Sequence, residues 1–60
     1  LSSYRVTFVA DYFVLSTVID REPDSLLADE IIAHKANKLI KDMYEFEPLD
    51  VCYDVEVEEV

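Results

Sequence analysis

Apolar and polar residues alternate from Tyr4 to Ala10, with Tyr4, Val6, Phe8 and Ala10 on one side and Arg5, Thr7 and Val9 on the other. A period of two residues is the mark of a half-buried strand. The alternation resumes from Phe13 to Ile19 in the opposite phase. Phe13, Leu15, Thr17 and Ile19 now share one side, and Tyr12, Val14, Ser16 and Val18 the other. One unbroken strand from 4 to 20 would measure roughly 55 Å, against a radius of gyration of about 10 Å for a folded chain of this size. The chain therefore turns at the phase change, Ala10-Asp11-Tyr12.

Asp20 to Ser25 reads as a loop containing Pro23, with Asp24 or Ser25 placed to cap a helix. The helix is expected from about Leu26 to Tyr44. At 100° per residue, Ala28, Ile32, Ala36, Leu39, Ile40 and Met43 fall on one stripe with Ala33 at its margin. Lys35, Lys38 and Lys41 lie elsewhere on the helix, towards the end where cations suit the dipole. Glu47-Pro48 closes the segment, because a residue before proline avoids helical angles.

Alternation returns from Val51 to Val57. Val51, Tyr53, Val55 and Val57 face one way, while Cys52, Asp54, Glu56 and Glu58 face the other, giving a third strand with an acidic outer side. The order is β-β-α-β, an α+β fold. After the helix, the third strand can lie antiparallel beside the first or parallel beside the second. Antiparallel pairing gives the spatial order 2-1-3 and puts the charged strand on an edge, where charge blocks runaway pairing. The helix then covers one sheet face, over Tyr4, Val6, Phe8, Phe13, Leu15, Ile19, Val51, Tyr53, Val55 and Val57. The other face is open, and Val9, Tyr12, Val14 and Val18 stand on it as an apolar interface.

Composition narrows the function. The chain has 60 residues, 52% of them hydrophobic, so one small domain with an ordered core is expected. One cysteine and one histidine leave no internal disulfide and too few ligands for a structural zinc. The lone cysteine and the lack of a signal peptide fit the cytoplasm. Glycine is absent, which excludes a P-loop, a dinucleotide fingerprint and a nucleophile elbow. No apolar run reaches the roughly 18 residues of a membrane span. The net charge of −9 opposes direct binding to nucleic acid or anionic lipid.

Candidate chemistry is thin. His34 lies off the core stripe and has no catalytic partner in view. Cys52 sits among acids, which disfavour the thiolate. Asp54, Glu56 and Glu58 alternate along a strand, holding carboxylates roughly 6.6–6.8 Å apart, too far to converge on one ion. No metal, cofactor or catalytic residue is expected, and the chain is read as acting by binding. The charge distribution is more informative. Residues 42–60 hold eight acids and no base, and residues 1–41 are nearly balanced. Glu45, Glu47, Asp50, Asp54, Glu56 and Glu58 thus form a candidate face for a protein with a basic surface.

In its length, its strand-strand-helix-strand order and its acidic tail Asp50–Val60 (DVCYDVEVEEV), the chain resembles the small acidic phage-encoded host inhibitors of the anti-CRISPR and DNA-mimic type. The resemblance implies inhibition by binding a nucleic-acid-binding protein, in the host cytoplasm, and implies no individual site residue. The alternative expectation is a homo-oligomeric assembly module, such as a homodimer, with the open sheet face as subunit interface.

Overall fold

The structure is a computed structural model that describes residues 2–21 and 29–60. Strands β1 (Ser2–Val9), β2 (Val14–Arg21) and β3 (Asp54–Glu59) form one antiparallel sheet in the order β2-β1-β3. Helix α1 (Asp29–Tyr44) and a short 3-10 turn, η1 (Pro48–Asp50), precede β3. The expected α+β fold and strand order are thus the ones observed. Pro23, the caps Asp24 and Ser25, and the helix start from Leu26 to Ala28 lie outside the described residues.

The hairpin closes where the phase inverts, with Ala10 N–H donating to the Phe13 carbonyl at 2.9 Å. Both arms run further than the alternation suggested, so Asp20 is a strand residue paired with Ser3 and not the start of a loop. On the covered face the register stacks Phe8 between Leu15 and Val55, Val6 between Thr17 and Val57, and Tyr4 between Ile19 and Glu59. Val6, Phe8 and Ile19 pack there against Ile32, Ala33, Ala36 and Ile40 of α1. Between the axes of its outer strands the sheet is only about 10 Å wide, so it covers one narrow stripe of helix. Leu39, at the margin of that stripe, and Met43, in the last turn, are consequently exposed, although the helical period assigned both to the core.

The approach to β3 departs most from the expectation. Val51 and Tyr53 were placed in the core as strand residues, yet they are 56% and 70% exposed. The proline is the cause. Pro48 opens η1, and its carbonyl accepts from both Val51 N–H (3.1 Å) and Cys52 N–H (2.9 Å), curling the chain before the strand begins. Tyr53 N–H then donates to the Val9 carbonyl, although Val9 stands opposite Asp54. That one-residue offset breaks the alternation, since a one-residue slip moves a side chain to the other face. Cys52, expected outside with the acids, instead packs with Leu49 against the core.

Asn37 fastens this segment to the helix. It is 6% exposed, its Oδ1 accepts from Leu49 N–H at 3.0 Å, and its Nδ2 donates to Glu47 Oε1 at 3.3 Å. A buried amide is tolerated when its donors and acceptors are met, as here. Glu45 ends α1 in the left-handed region (φ 61°), with its N–H donating to the Lys41 carbonyl at 2.8 Å. That position is usually filled by glycine, which this chain lacks.

Candidate protein-binding face

The side of the sheet turned away from α1 has three columns. Along β2 stand Val14, Ser16, Val18 and Asp20, along β1 Val9, Thr7, Arg5 and Ser3, and along β3 Asp54, Glu56 and Glu58. Row by row, Val14–Val9–Asp54, Ser16–Thr7–Glu56 and Val18–Arg5–Glu58 lie side by side. The face therefore changes from apolar to acidic across about 10 Å. Val14 is 69% exposed and Val18 51%, and Asp54, Glu56 and Glu58 are all exposed. Val9, Val14 and Val18 of the expected apolar site and Asp54, Glu56 and Glu58 of the expected acidic one are halves of one surface.

Arg5 sits between the halves. Its guanidinium donates to Glu58 Oε1 at 3.0 Å, and both side chains remain about half exposed. The contact offsets the charge of Glu58 at one end of the acidic column. Among the described residues Asp54 and Glu56 form no ion pair, so the unpaired carboxylates of this column lie towards its other end, beside Val9 and Thr7. Tyr12, at 98% exposure in the hairpin turn, and Tyr53, bonded through its backbone to Val9, stand at that same end. Exposed tyrosines beside apolar and acidic groups suit a binding surface, because they bring a large contact area with little rotamer entropy. Tyr53 was missed as a site residue because a simple alternation assigns it to the core.

The other acids divide differently. Glu47 is half-buried, with Oε1 on Asn37 and Oε2 3.7 Å from Lys41 Nζ, so its carboxylate holds the helix to η1. Glu45 and Asp50 are exposed on the connection between α1 and β3, off the open column. Arg5 could have been found from sequence, since its outward phase in a central strand places it beside the acidic edge. Asn37 had no such signal, for a single amide within a helical run is ordinarily solvated.

His34 is exposed on α1, and Cys52 is partly buried against the core. Among the described residues no three His, Cys, Asp or Glu side chains gather as a metal site, and no helix is long and apolar enough to cross a membrane. Lys35 and Lys38 flank a shallow groove beside β2 with Val18, Asp20, Leu39 and Asp42, while Lys41 turns to Glu47. Compared with known protein families, curated proteins and solved structures, the chain matches none.

Proposed function

We propose that this protein is a non-enzymatic binding domain that inhibits or masks a partner with a basic, nucleic-acid-binding surface. The observation that carries the reading is the placement of Asp54 and Glu56 on the same open face as Val9 and Val14. Carboxylates in a row attract and orient a basic surface, and adjacent apolar groups supply contact area once it has docked. Burying a side chain such as Val14 contributes about 1.5–3 kcal/mol, whereas the charges act mainly on the association rate. A face of this kind occupies the lysines and arginines that would otherwise contact phosphates. The resemblance to acidic phage inhibitors points the same way and makes the host cytoplasm the expected place of action.

The alternative, two copies stacked by their open faces, draws support from the exposed valines. It would also bring two unneutralised acidic columns into one interface, and like charges there are costly.

The test begins with a pull-down from lysate of the native host at low salt. Association rates of the recovered partner are then measured for wild type and for Asp54→Asn/Glu56→Gln/Glu58→Gln, at low and high ionic strength. The triple variant should fold normally and associate at least about tenfold more slowly at low salt, with the difference shrinking as salt screens the charges. Val14→Lys should fold and should accelerate dissociation. Equal rates for wild type and triple variant at every salt concentration would reduce the acidic strand to a solubility edge.

A further inference from the structure

The open face is not the only unsatisfied surface, because β2 also ends the sheet as an edge strand. The hairpin bond from Ala10 N–H to the Phe13 carbonyl sets the phase of the β1–β2 ladder. Hydrogen-bonded pairs alternate in an antiparallel ladder, so Leu15, Thr17 and Ile19 point their backbone groups at β1. The opposite side of the central strand agrees, since Ser3 and Val9 turn their carbonyls to Val60 and Tyr53. It follows that the N–H and C=O groups of Val14, Ser16, Val18 and Asp20 point away from β1, and among the described residues no strand lies beyond them.

An edge strand normally carries a device against pairing, such as charge, proline, a bulge or short length. The β3 edge has one, because four of the six residues in Asp54–Glu59 are acidic. The β2 edge has none over the six residues from Val14 to Ile19, and charge enters only at its end, at Asp20 and Arg21. We propose that β2 pairs antiparallel with β2 of a second copy, joining two three-stranded sheets into one of six strands.

Several features favour a second copy over an unrelated strand. Antiparallel partners opposite one another share a face, so even-numbered residues meet even-numbered ones. With the two-fold axis at Ser16, each Val14 stands opposite Val18 of the second copy, Ser16 opposite Ser16 and Leu15 opposite Thr17, and no charge enters the central rows. The helix flank beside the edge carries both signs, Lys35 and Lys38 in the groove with Asp42. A two-fold axis at Ser16 sets these two flanks at opposite ends of the paired strands, so their lysines do not meet one another.

The net charge of −9 per chain does not forbid the pairing. In the six-stranded sheet the two acidic β3 strands occupy opposite edges, about 24 Å apart. That exceeds the Debye length of about 8 Å at physiological ionic strength, so their repulsion is screened. Pairing through β2 leaves the open face uncovered and doubles it. The inference does not depend on the basic partner, and salt separates the two. Dimerisation holds or strengthens as salt rises, whereas partner association slows.

Sedimentation equilibrium of the 60-residue chain at concentrations up to about 0.5 mM tests the proposal, because strand pairing of this size falls at the weak end of protein interfaces. Wild type should dimerise. Ser16→Pro deletes an outward N–H without touching the β1–β2 bonds and should raise the dissociation constant at least about tenfold, with the circular dichroism of a folded monomer. Ser16→Lys keeps the backbone donor but puts lysines close together across the axis, and should weaken the dimer likewise. Val9→Lys, on the open face, should leave it intact. Amide exchange at Val14, Ser16 and Val18 should slow as concentration rises. A wild type that stays monomeric overturns the proposal. So does a dimer that survives both Ser16 variants or is lost in Val9→Lys, and so does protection that appears at Val55 and Val57 instead.

Discussion

β2 and β3 are both edge strands laid against β1, and chemically they are opposites. From Val14 to Ile19 β2 is neutral and four of its six residues are apolar, whereas β3 alternates valine with acid and ends on two glutamates. They also enter the sheet differently. β2 follows β1 through a tight hairpin closed by one backbone bond. β3 arrives after a helix, a left-handed glutamate and a proline-led turn held by Asn37. The contrast teaches that charge and placement are handled separately here. The charged edge protects itself by repulsion but needs a clamp to reach its position. The neutral edge is positioned by local pairing and lacks protection.

The largest expected effect removes what both edges share. Phe8 is fully buried on β1 between Leu15 and Val55. Phe8→Ala should cost about 3–5 kcal/mol, enough to unfold a small domain at room temperature. Urea titration followed by circular dichroism measures it, and a loss under about 1 kcal/mol would mean that Phe8 is not the centre of the core.

The next effect should fall on one edge. Asn37→Ala leaves the Leu49 N–H without its acceptor, at about 1–3 kcal/mol. Native-state amide exchange should then speed up in η1 and β3 while β2 keeps its protection. Equal acceleration in both edges would contradict the separate clamping of β3.

Glu45 offers a smaller change of opposite sign. Its left-handed backbone and its place at the negative end of the helix dipole both favour another residue. Glu45→Gly should stabilise the fold by about 0.5–1 kcal/mol, raising Tm by roughly 2–8 °C in thermal unfolding. A lower Tm would show that the glutamate side chain has a stabilising contact.

Arg5→Gln should change stability least, within about 0.5 kcal/mol, because the Arg5–Glu58 pair is roughly half exposed and screened by solvent. It should nonetheless sharpen the contrast between the halves of the open face by freeing Glu58. Association with a basic partner would then quicken at low salt, and slower association would make Arg5 itself part of the contact.

What the sequence by itself determined was which side chains share a face. Alternation in β1 and β2, its inversion at residues 10–12 and the valine–acid repeat of β3 were enough for the β-β-α-β order, the covered face and the open one. A period of two is imposed on every strand by backbone geometry, so it is visible locally. The offset between strands was not visible, because a slip of two residues preserves every alternation while changing every neighbour. Only the tertiary structure set Asp54 beside Val9 and Val14, joined Arg5 to Glu58 and made one surface of the apolar and acidic residues. It also withdrew Glu47 to the Asn37 clamp, exposed Val51 and Tyr53, and tucked Cys52 towards the core. Each of these depends on how Pro48 and the end of α1 deliver the chain to β3, a long-range constraint that no local period records.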